Sequence, residues 1–127
     1  MKLQGFHVLV VEDDDDSREV LRVVLKFCGA TVATVTNASQ ALAALAAGQF
    51  HAVVSDLAMP EQSGFWLIRK IREKYREPHL PALAVTSHAF PGSEVTSAGF
   101  DDLIRKPPDP DALCAAVARL IRERGGH

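Results

Sequence analysis

The sequence predicts an α/β fold, a doubly wound three-layer sandwich around a parallel five-stranded sheet. Short β-rich apolar runs alternate with longer stretches of helical spacing, and the alternation repeats five times along the chain. Several of the apolar runs show little polar alternation, which is typical of strands covered on both faces. With 127 residues, 47% of them hydrophobic and 24% charged, the chain suits one domain, 1–127, with a core from about 6 to 122.

The elements follow from this alternation in chain order. The strands are predicted at Phe6 to Val11, Thr31 to Thr36, His51 to Asp56, Ala82 to Thr86 and Asp102 to Ile104. Helices are predicted at Ser17 to Cys28, Ala38 to Ala47, Ser93 to Ala98 and Asp109 to Arg124. The remaining helix, third in chain order, is predicted from an apolar side that includes Phe65 and Ile71. Right-handed crossovers between five such βα units build a doubly wound sandwich, for which the flavodoxin-like strand order 2-1-3-4-5 is one of two common choices.

The first two helices are predicted from their apolar spacing and from the glycines that follow them. An apolar stripe of Val20, Val23, Val24 and Phe27 marks the first helix, and Gly29 is a natural C′ residue beyond it. The second helix is expected to end at Gly48 in the same way.

The later helices differ in how clearly they are indicated. Phe65, Leu67, Ile68 and Ile71 give the third helix an apolar side, with Trp66 near its edge. Pro91 and Gly92 break the pattern before the fourth helix and predict that it is short. The fifth helix carries acid near its start and arginines near its end, in agreement with the helix dipole.

Composition excludes several classes of protein. The longest apolar stretches are about seven residues long, far below the roughly 20 residues that a membrane helix needs. No signal peptide is recognised, so we expect a cytoplasmic protein. A net charge of −2 makes direct nucleic-acid binding by this chain improbable. Cys28 and Cys114 lack metal-ligand spacing and are interpreted as reduced packing residues.

Polar side chains gather where the predicted strands end. Glu12 and Asp13 follow the first strand, Asp56 closes the third, and Lys106 follows the fifth. Because the carboxyl ends of parallel strands share one edge of the sheet, these groups should converge there. Crowded carboxylates repel one another unless a cation joins them, and an all-oxygen set suits Mg²⁺. The next three acids, Asp14 to Asp16, are interpreted as a solvated loop and helix start.

Four segments resemble the motifs of response regulator receiver domains, the CheY-like superfamily of two-component signalling. They are Val8 to Asp13 (VLVVED), Val53 to Gly64 (VVSDLAMPEQSG), Ala84 to Ser87 (AVTS) and Arg105 to Pro107 (RKP). The resemblance runs from about Phe6 to Arg122, and the four motifs are specific because they occur together and in order.

The resemblance implies a phosphoacceptor that uses Mg²⁺. Asp56 would take a phosphoryl group from a kinase phosphohistidine, and the domain would catalyse its own phosphorylation and dephosphorylation. Asp13 and Asp56 would bind Mg²⁺ directly, Glu12 through water, and Ala58 through its main-chain carbonyl. Phosphoryl transfer depends mainly on positioning and charge neutralisation, which suits this group of residues.

The resemblance also assigns roles around the acceptor. Lys106 would pair with a phosphoryl oxygen, and the Thr86 hydroxyl would turn toward the phosphate. Pro60 and Gly64 fit the turn that follows the acceptor, and the Lys106–Pro107 peptide is expected to be cis.

The sequence departs from the family at the expected switch. Leu103 stands where the family usually carries an aromatic ring that moves with the threonine. Together with the short fourth helix, this predicts an atypical output face. Ala58 and His88 border the expected path of the hydrolytic water; the other histidines, His7, His51, His79 and His127, are interpreted as structural or surface residues.

Two other classes of function are weighed against the phosphoacceptor. One is a receiver-like interaction module that works without phosphorylation, which Leu103 favours and the complete acidic set opposes. The other is a phosphatase of the haloacid-dehalogenase type, which would want a second aspartate where Ala58 stands.

The resemblance further implies partners. A sensor histidine kinase or phosphotransfer protein would donate the phosphoryl group, and a downstream protein would receive the signal; a weak homodimer through the last two βα units is also expected. The chain would be either a stand-alone regulator or a piece of a hybrid kinase or larger regulator.

Overall fold

The computed structural model describes residues 2–75 and 78–125, with one parallel sheet in the order β2-β1-β3-β4-β5. Its strands are β1 (His7–Val11), β2 (Thr31–Val35), β3 (Ala52–Ser55), β4 (Ala82–Thr86) and β5 (Asp102–Arg105). The register aligns Val11 with both Val35 and Ser55, so β1, β2 and β3 end side by side. The predicted fold class and strand order are confirmed.

Five helices connect and cover the strands. They are α1 (Asp15–Phe27), α2 (Ala38–Ala47), α3 (Gly64–Lys74), α4 (Gly92–Ala98) and α5 (Pro110–Gly125). The bounds of α2 are those that the sequence predicts, and α4 has only seven residues, as the Pro91-Gly92 pair indicates. None of the helices in the described ranges has the length and apolar character needed to cross a membrane.

The sheet separates two apolar layers. Val8 and Val10 of β1 face a layer formed with α1 and α5, whereas Leu9 and Val11 face a layer formed with α2, α3 and α4. This alternation follows from the two-residue period of a strand. Because both faces are covered, β1, β3 and β4 are almost entirely apolar.

The buried face of α1 differs from the predicted one. Leu21 and Leu25 are the buried residues of this helix, and Val24 packs beside them. Val20 and Val23 are each 49% exposed, and Phe27 is 81% exposed. Two apolar stripes with helical spacing lie next to each other on α1, so periodicity alone could not say which one faces the core.

Gly29 and Gly48 follow α1 and α2 as predicted, but only one of them has the expected left-handed conformation. Gly29 has φ +103°, the left-handed conformation expected of a C′ glycine. Gly48, in contrast, has φ −144° and ψ 176°, so α2 ends in extended backbone.

The prediction of two reduced cysteines is wrong for this structure. Cys28 at the end of α1 and Cys114 in α5 form a disulfide, with their Cα atoms 6.6 Å apart. The two residues are separated by 86 positions, and their proximity arises from the packing of α1 against α5, which sequence spacing does not report.

Candidate functional site

Three carboxylates meet at the carboxyl ends of β1 and β3. Oxygens of Glu12, Asp13 and Asp56 all lie within 4.8 Å of one another. The backbone explains the convergence, because the Asp56 N–H donates to the Val11 carbonyl across the two neighbouring strands. Glu12 and Asp56 are buried and Asp13 is more open, so the group is accessible from one side.

Asp56 is held in a fixed position by its own chain. It is 6% exposed, and its Oδ1 accepts hydrogen bonds from the backbone N–H groups of Leu57 at 2.7 Å and Ala58 at 3.4 Å. Its other oxygen, Oδ2, lies 3.4 Å from Nζ of Lys106. One carboxylate oxygen is therefore oriented by the backbone while the other faces a cation.

Lys106 connects the two buried acids. Its Nζ donates to Oε1 of Glu12 as well as to Asp56, and the lysine side chain is only 15% exposed. Burial alone would lower the pKa of Lys106, but its hydrogen bond and attraction to Glu12, with the added effect of Asp56, outweigh burial and raise the pKa. Lys106 therefore stays charged at this acidic edge of the sheet.

Glu12 is a buried acid whose ionisation is costly without a further cation. Burial raises its pKa to about 7, the Lys106 hydrogen bond opposes that rise, and the charge of Asp56 adds to it. Lys106 alone does not neutralise the cluster. Carboxylate oxygens at this separation are the donors that Mg²⁺ prefers, so the residues present fit the metal that the sequence implies.

Gly64 at the start of α3 allows this helix to pack closely against the loop that follows Asp56. A Cβ at this position would lie 2.3 Å from the Asp56 carbonyl oxygen and 2.8 Å from the Leu57 Cα. The Gly64 N–H donates to the Leu57 carbonyl at 2.8 Å. Only glycine permits this approach of α3 to the residue after Asp56.

The predicted switch and access residues lie along β4, β5 and the loop after β4. Thr86 is fully buried, and its Oγ1 accepts the His88 N–H at 3.1 Å. Ser87, the next residue, lines the cavity beside the acids, as does Ala58. Leu103 is half-buried on β5, packed against the α3 side of the core. The Lys106–Pro107 peptide is cis, as expected.

The structure adds two arginines and a cap that sequence reasoning did not assign to the site. Arg18 donates to the carbonyl of Glu12 at 3.1 Å and contacts that of Asp13 at 3.5 Å, so it anchors the acidic loop. Arg105 donates to carbonyls of the β4–α4 loop. Asp14 caps α1 by accepting the Ser17 N–H at 2.8 Å, which lowers the pKa of Asp14. Its position before a helix start was the one available signal.

The three clustered acids and Lys106 line an open cavity of about 650 Å³ at the carboxyl edge of the sheet. Its walls include the acids, Lys106, the first turns of α1 and the Pro107-Pro108 pair. It places a buried carboxylate beside the ammonium group of Lys106 and leaves room for a metal ion and a further ligand.

A family model for the response regulator receiver domain matches residues 8–118. The chain belongs to this family. It is therefore the phosphoacceptor type of domain that operates in two-component signalling.

Curated relatives of very different length resemble this receiver domain. An uncharacterized 14.6 kDa protein in the sodA1 3′ region of Leptolyngbya boryana is 42% identical over 91% of this chain and 89% of that protein. The transcriptional regulator NtrC of Salmonella typhimurium is 36% identical over 90% of this chain, which spans only 24% of NtrC. The chain thus matches about a quarter of NtrC and nearly the whole length of the smaller relative.

Solved structures agree with the fold. A CheY-like receiver domain from Methanospirillum hungatei superposes with a TM-score of 0.86 and 25% identity over 98% of both chains. The chemotaxis response regulator CheY4 of Vibrio cholerae superposes with a TM-score of 0.80 and 26% identity, over 91% of this chain and 98% of CheY4.

Proposed function

We propose that Asp56 is the phosphoacceptor of this receiver domain and that Glu12, Asp13, Thr86 and Lys106 serve its phosphorylation. The observation that carries the proposal is the cluster of Glu12, Asp13 and Asp56 oxygens within 4.8 Å, contacted by Lys106. A structural role alone would not require two buried acids next to each other, because their repulsion costs stability. Binding of a metal ion and transfer of a phosphoryl group would explain why this repulsion is tolerated.

The transfer is a displacement at phosphorus. An oxygen of the Asp56 carboxylate attacks the phosphoryl group of a phosphohistidine, a P–O bond forms, the P–N bond breaks, and the imidazole leaves and takes up a proton. Hydrogen bonds from Leu57 and Ala58 to Oδ1 leave Oδ2 as the oxygen that faces Lys106. We assign the attack to Oδ2.

Lys106 and Thr86 would stabilise the product. The ammonium group of Lys106 already lies between the two buried acids, so it can transfer its contacts to a phosphoryl oxygen. Thr86 would donate its hydroxyl proton to a second oxygen while its backbone stays in β4. Both contacts compensate the negative charge that phosphorylation adds.

Glu12, Asp13, Asp56 and the Ala58 carbonyl would hold Mg²⁺, Glu12 through water. When bound, the metal neutralises charge on the transferring group and on the acids. Arg18 would keep Glu12 and Asp13 in place through their carbonyls, without meeting the metal itself.

The same residues would catalyse phosphorylation and later hydrolysis, so the domain would set its own phosphoryl lifetime. Its partners would be a histidine kinase or phosphotransfer protein and a downstream protein target; receiver domains interact with such kinases and effectors as a class. A cytoplasmic location, a single domain over 1–127 and a weak homodimer belong to the same proposal.

Beryllium fluoride, a phosphoryl mimic, tests the site directly. With Mg²⁺ present, we expect a bound ¹⁹F resonance and saturable amide shifts around Asp56, Thr86 and Lys106. Asp56→Asn should abolish both. Asp111→Asn is the matched control, because Asp111 is an exposed acid in the first turn of α5, and it should bind like the wild type.

Binding that survives in Asp56→Asn would contradict the assignment of the acceptor. A folded wild-type domain that binds neither Mg²⁺ nor beryllium fluoride would favour the phosphorylation-independent interaction module, which Leu103 still supports.

A further inference from the structure

Arg105 attaches the end of β5 to the β4–α4 loop, residues 87–91. Its Nη1 donates to the His88 carbonyl and its Nη2 to the Phe90 carbonyl. The two contacts use the fork of one guanidinium group and hold two backbone positions at once. The register places Arg105 opposite Thr86, so the loop is held directly beside the strand from which it emerges.

A ring contact fixes the same loop to α3. Phe90 lies edge-on to Phe65, with ring centroids 5.1 Å apart and an interplanar angle of 79°. Phe65 is the second residue of α3, one position after the glycine that packs on Asp56. Both rings are half-buried against the α3 side of the core. The loop is therefore anchored on β5 by hydrogen bonds and on α3 by an aromatic pair.

Both groups expected to contact the phosphoryl oxygens connect to this loop. The Thr86 hydroxyl accepts the His88 N–H, and the Lys106 N–H donates to the Thr86 carbonyl at 2.9 Å. Arg105 is the chain neighbour of Lys106. A displacement of Thr86 or Lys106 toward the phosphoryl group therefore acts on the residues that Arg105 and Phe90 hold.

We propose that this chain reports its phosphorylation at the Phe65–Phe90 contact, with Arg105 as the residue that positions the loop. The inference rests on the proposed function of Asp56. In this chain, Phe90 of the β4–α4 loop would take the part that receiver domains usually give to an aromatic ring on β5, where Leu103 stands. The surface that phosphorylation alters would then consist of the exposed residues of the β4–α4 loop and the start of α3.

The side chains around the loop agree with a surface that a partner protein reads. Ser87, His88 and Ala89 are exposed, and Phe90 is half-buried between them and α3. Thr86 behind them is fully buried. Release of Phe90 from Phe65 would expose a large apolar ring beside Ser87, His88 and Ala89, which gives a partner protein an anchor.

Two signals recorded on one sample separate binding from readout. The bound ¹⁹F resonance of beryllium fluoride reports occupation of the Asp56 site. Fluorescence of Trp66 reports the start of α3, because Trp66 follows Phe65 directly and is the chain's one tryptophan. In the wild type, we expect both signals to saturate together.

The variants are chosen to leave the acids and Lys106 untouched. Phe90→Leu and Arg105→Gln should keep the ¹⁹F resonance and lose most of the Trp66 change. Leu103→Val, on the strand where the usual ring would lie, should keep both signals. Circular dichroism of each free variant checks that it is folded.

Three results would overturn the proposal. A full change in Trp66 fluorescence in Phe90→Leu would show that the Phe65–Phe90 contact does not report phosphorylation. Loss of the Trp66 fluorescence change in Leu103→Val, with the ¹⁹F resonance intact, would show that the readout depends on the side chain at position 103 of β5. Absence of the ¹⁹F resonance in the wild type would refute the proposed function first and this inference with it.

Discussion

At the scale of single residues, the site depends on groups whose chemistry cannot be exchanged. Asp56 has one oxygen bound by the backbone and the other facing Lys106, so each oxygen has a separate role. Gly64 contributes by having no side chain. Because Gly64 has no Cβ, α3 can begin in direct contact with the backbone of Asp56 and Leu57.

Gly64→Ala should therefore damage both stability and the site. The added methyl would collide with backbone atoms of Asp56 and Leu57, which cannot move without shifting the Asp56 carboxylate. We expect unfolding to become easier by about 2 kcal/mol or more and Mg²⁺ affinity to fall. Urea unfolding and a Mg²⁺ titration measure the two effects.

Gly92→Ala is the control, because a Cβ there meets nothing within 4 Å. It should leave Mg²⁺ affinity unchanged and stability equal or slightly higher, by up to about 1 kcal/mol. Equal behaviour of the two variants would mean that the approach of α3 to Asp56 is not required.

The sequence predicts the main residues of the site but not the contacts that hold them in place. Glu12, Asp13, Asp56 and Lys106 were predictable because each follows a strand and the strands are parallel. Arg18 and Arg105 were not, since they act on backbone carbonyls that only the folded loops bring within reach. The resemblance to receiver domains added roles for Thr86 and Ala58 that spacing alone does not give.

At the scale of elements, the helices show where pattern reasoning fails. The sequence places α1 correctly but selects the wrong face, because apolar residues lie on two adjacent stripes. Leu21 and Leu25 fill the core, while Val20, Val23 and Phe27 form an exposed apolar strip along the helix. The existence of a helix follows from its period, whereas its orientation depends on the sheet against which it packs.

Substitutions on the two stripes of α1 should differ sharply in effect. Leu25→Ala empties a fully buried position, and we expect a loss of about 2 to 5 kcal/mol. Phe27→Ser removes an exposed ring and should change stability by no more than about 0.5 kcal/mol. Chemical denaturation of both variants measures the difference. A large loss from Phe27→Ser would restore the predicted stripe as the core face.

The Arg72 side chain connects α3 to the start of β4 and to the loop before β5. Arg72 of α3 donates to the carbonyls of Gly99 at 2.9 Å and Leu80 at 2.6 Å, and its Nη2 lies 3.1 Å from the Asp101 carboxylate. Asp101 also accepts the Ala82 N–H at 2.8 Å. One guanidinium group therefore fixes three chain segments at the edge opposite to the site.

Arg72→Lys should lower stability although the charge is kept. A lysine ammonium cannot reach all three acceptors from one position, so partly buried carbonyls lose their donors, at a cost of about 1 to 3 kcal/mol. Arg69→Lys, at an exposed position of the same helix, should stay within about 0.5 kcal/mol of the wild type. Thermal unfolding compares the two, and equal midpoints would show that the three contacts do not stabilise the fold.

At the scale of the whole molecule, the two apolar layers on either side of the sheet differ in what holds their helices together. The layer under α2, α3 and α4 holds the residues that we assign to the readout, and the hydrogen bonds of Arg72 add to its packing. The layer under α1 and α5 also contains the Cys28–Cys114 disulfide, which joins the first helix to the last. Closure of such a long stretch of chain restricts the unfolded state and leaves the acids at the other end of α1 unaltered.

Reduction of the disulfide should therefore lower stability without removing the site. For a separation of 86 residues, the chain-entropy model gives about 4 to 5 kcal/mol, and measured losses for native disulfides are about 2 to 5 kcal/mol. We expect dithiothreitol to lower the thermal midpoint of the wild type, while beryllium fluoride still binds to the reduced domain below that midpoint. Cys28→Ser provides the control, since its midpoint should not respond to dithiothreitol. Two reactive thiols in the unreduced, denatured wild type would contradict the bond itself, and a loss of beryllium fluoride binding on reduction would show that α1 and α5 must be joined for the acidic edge to form.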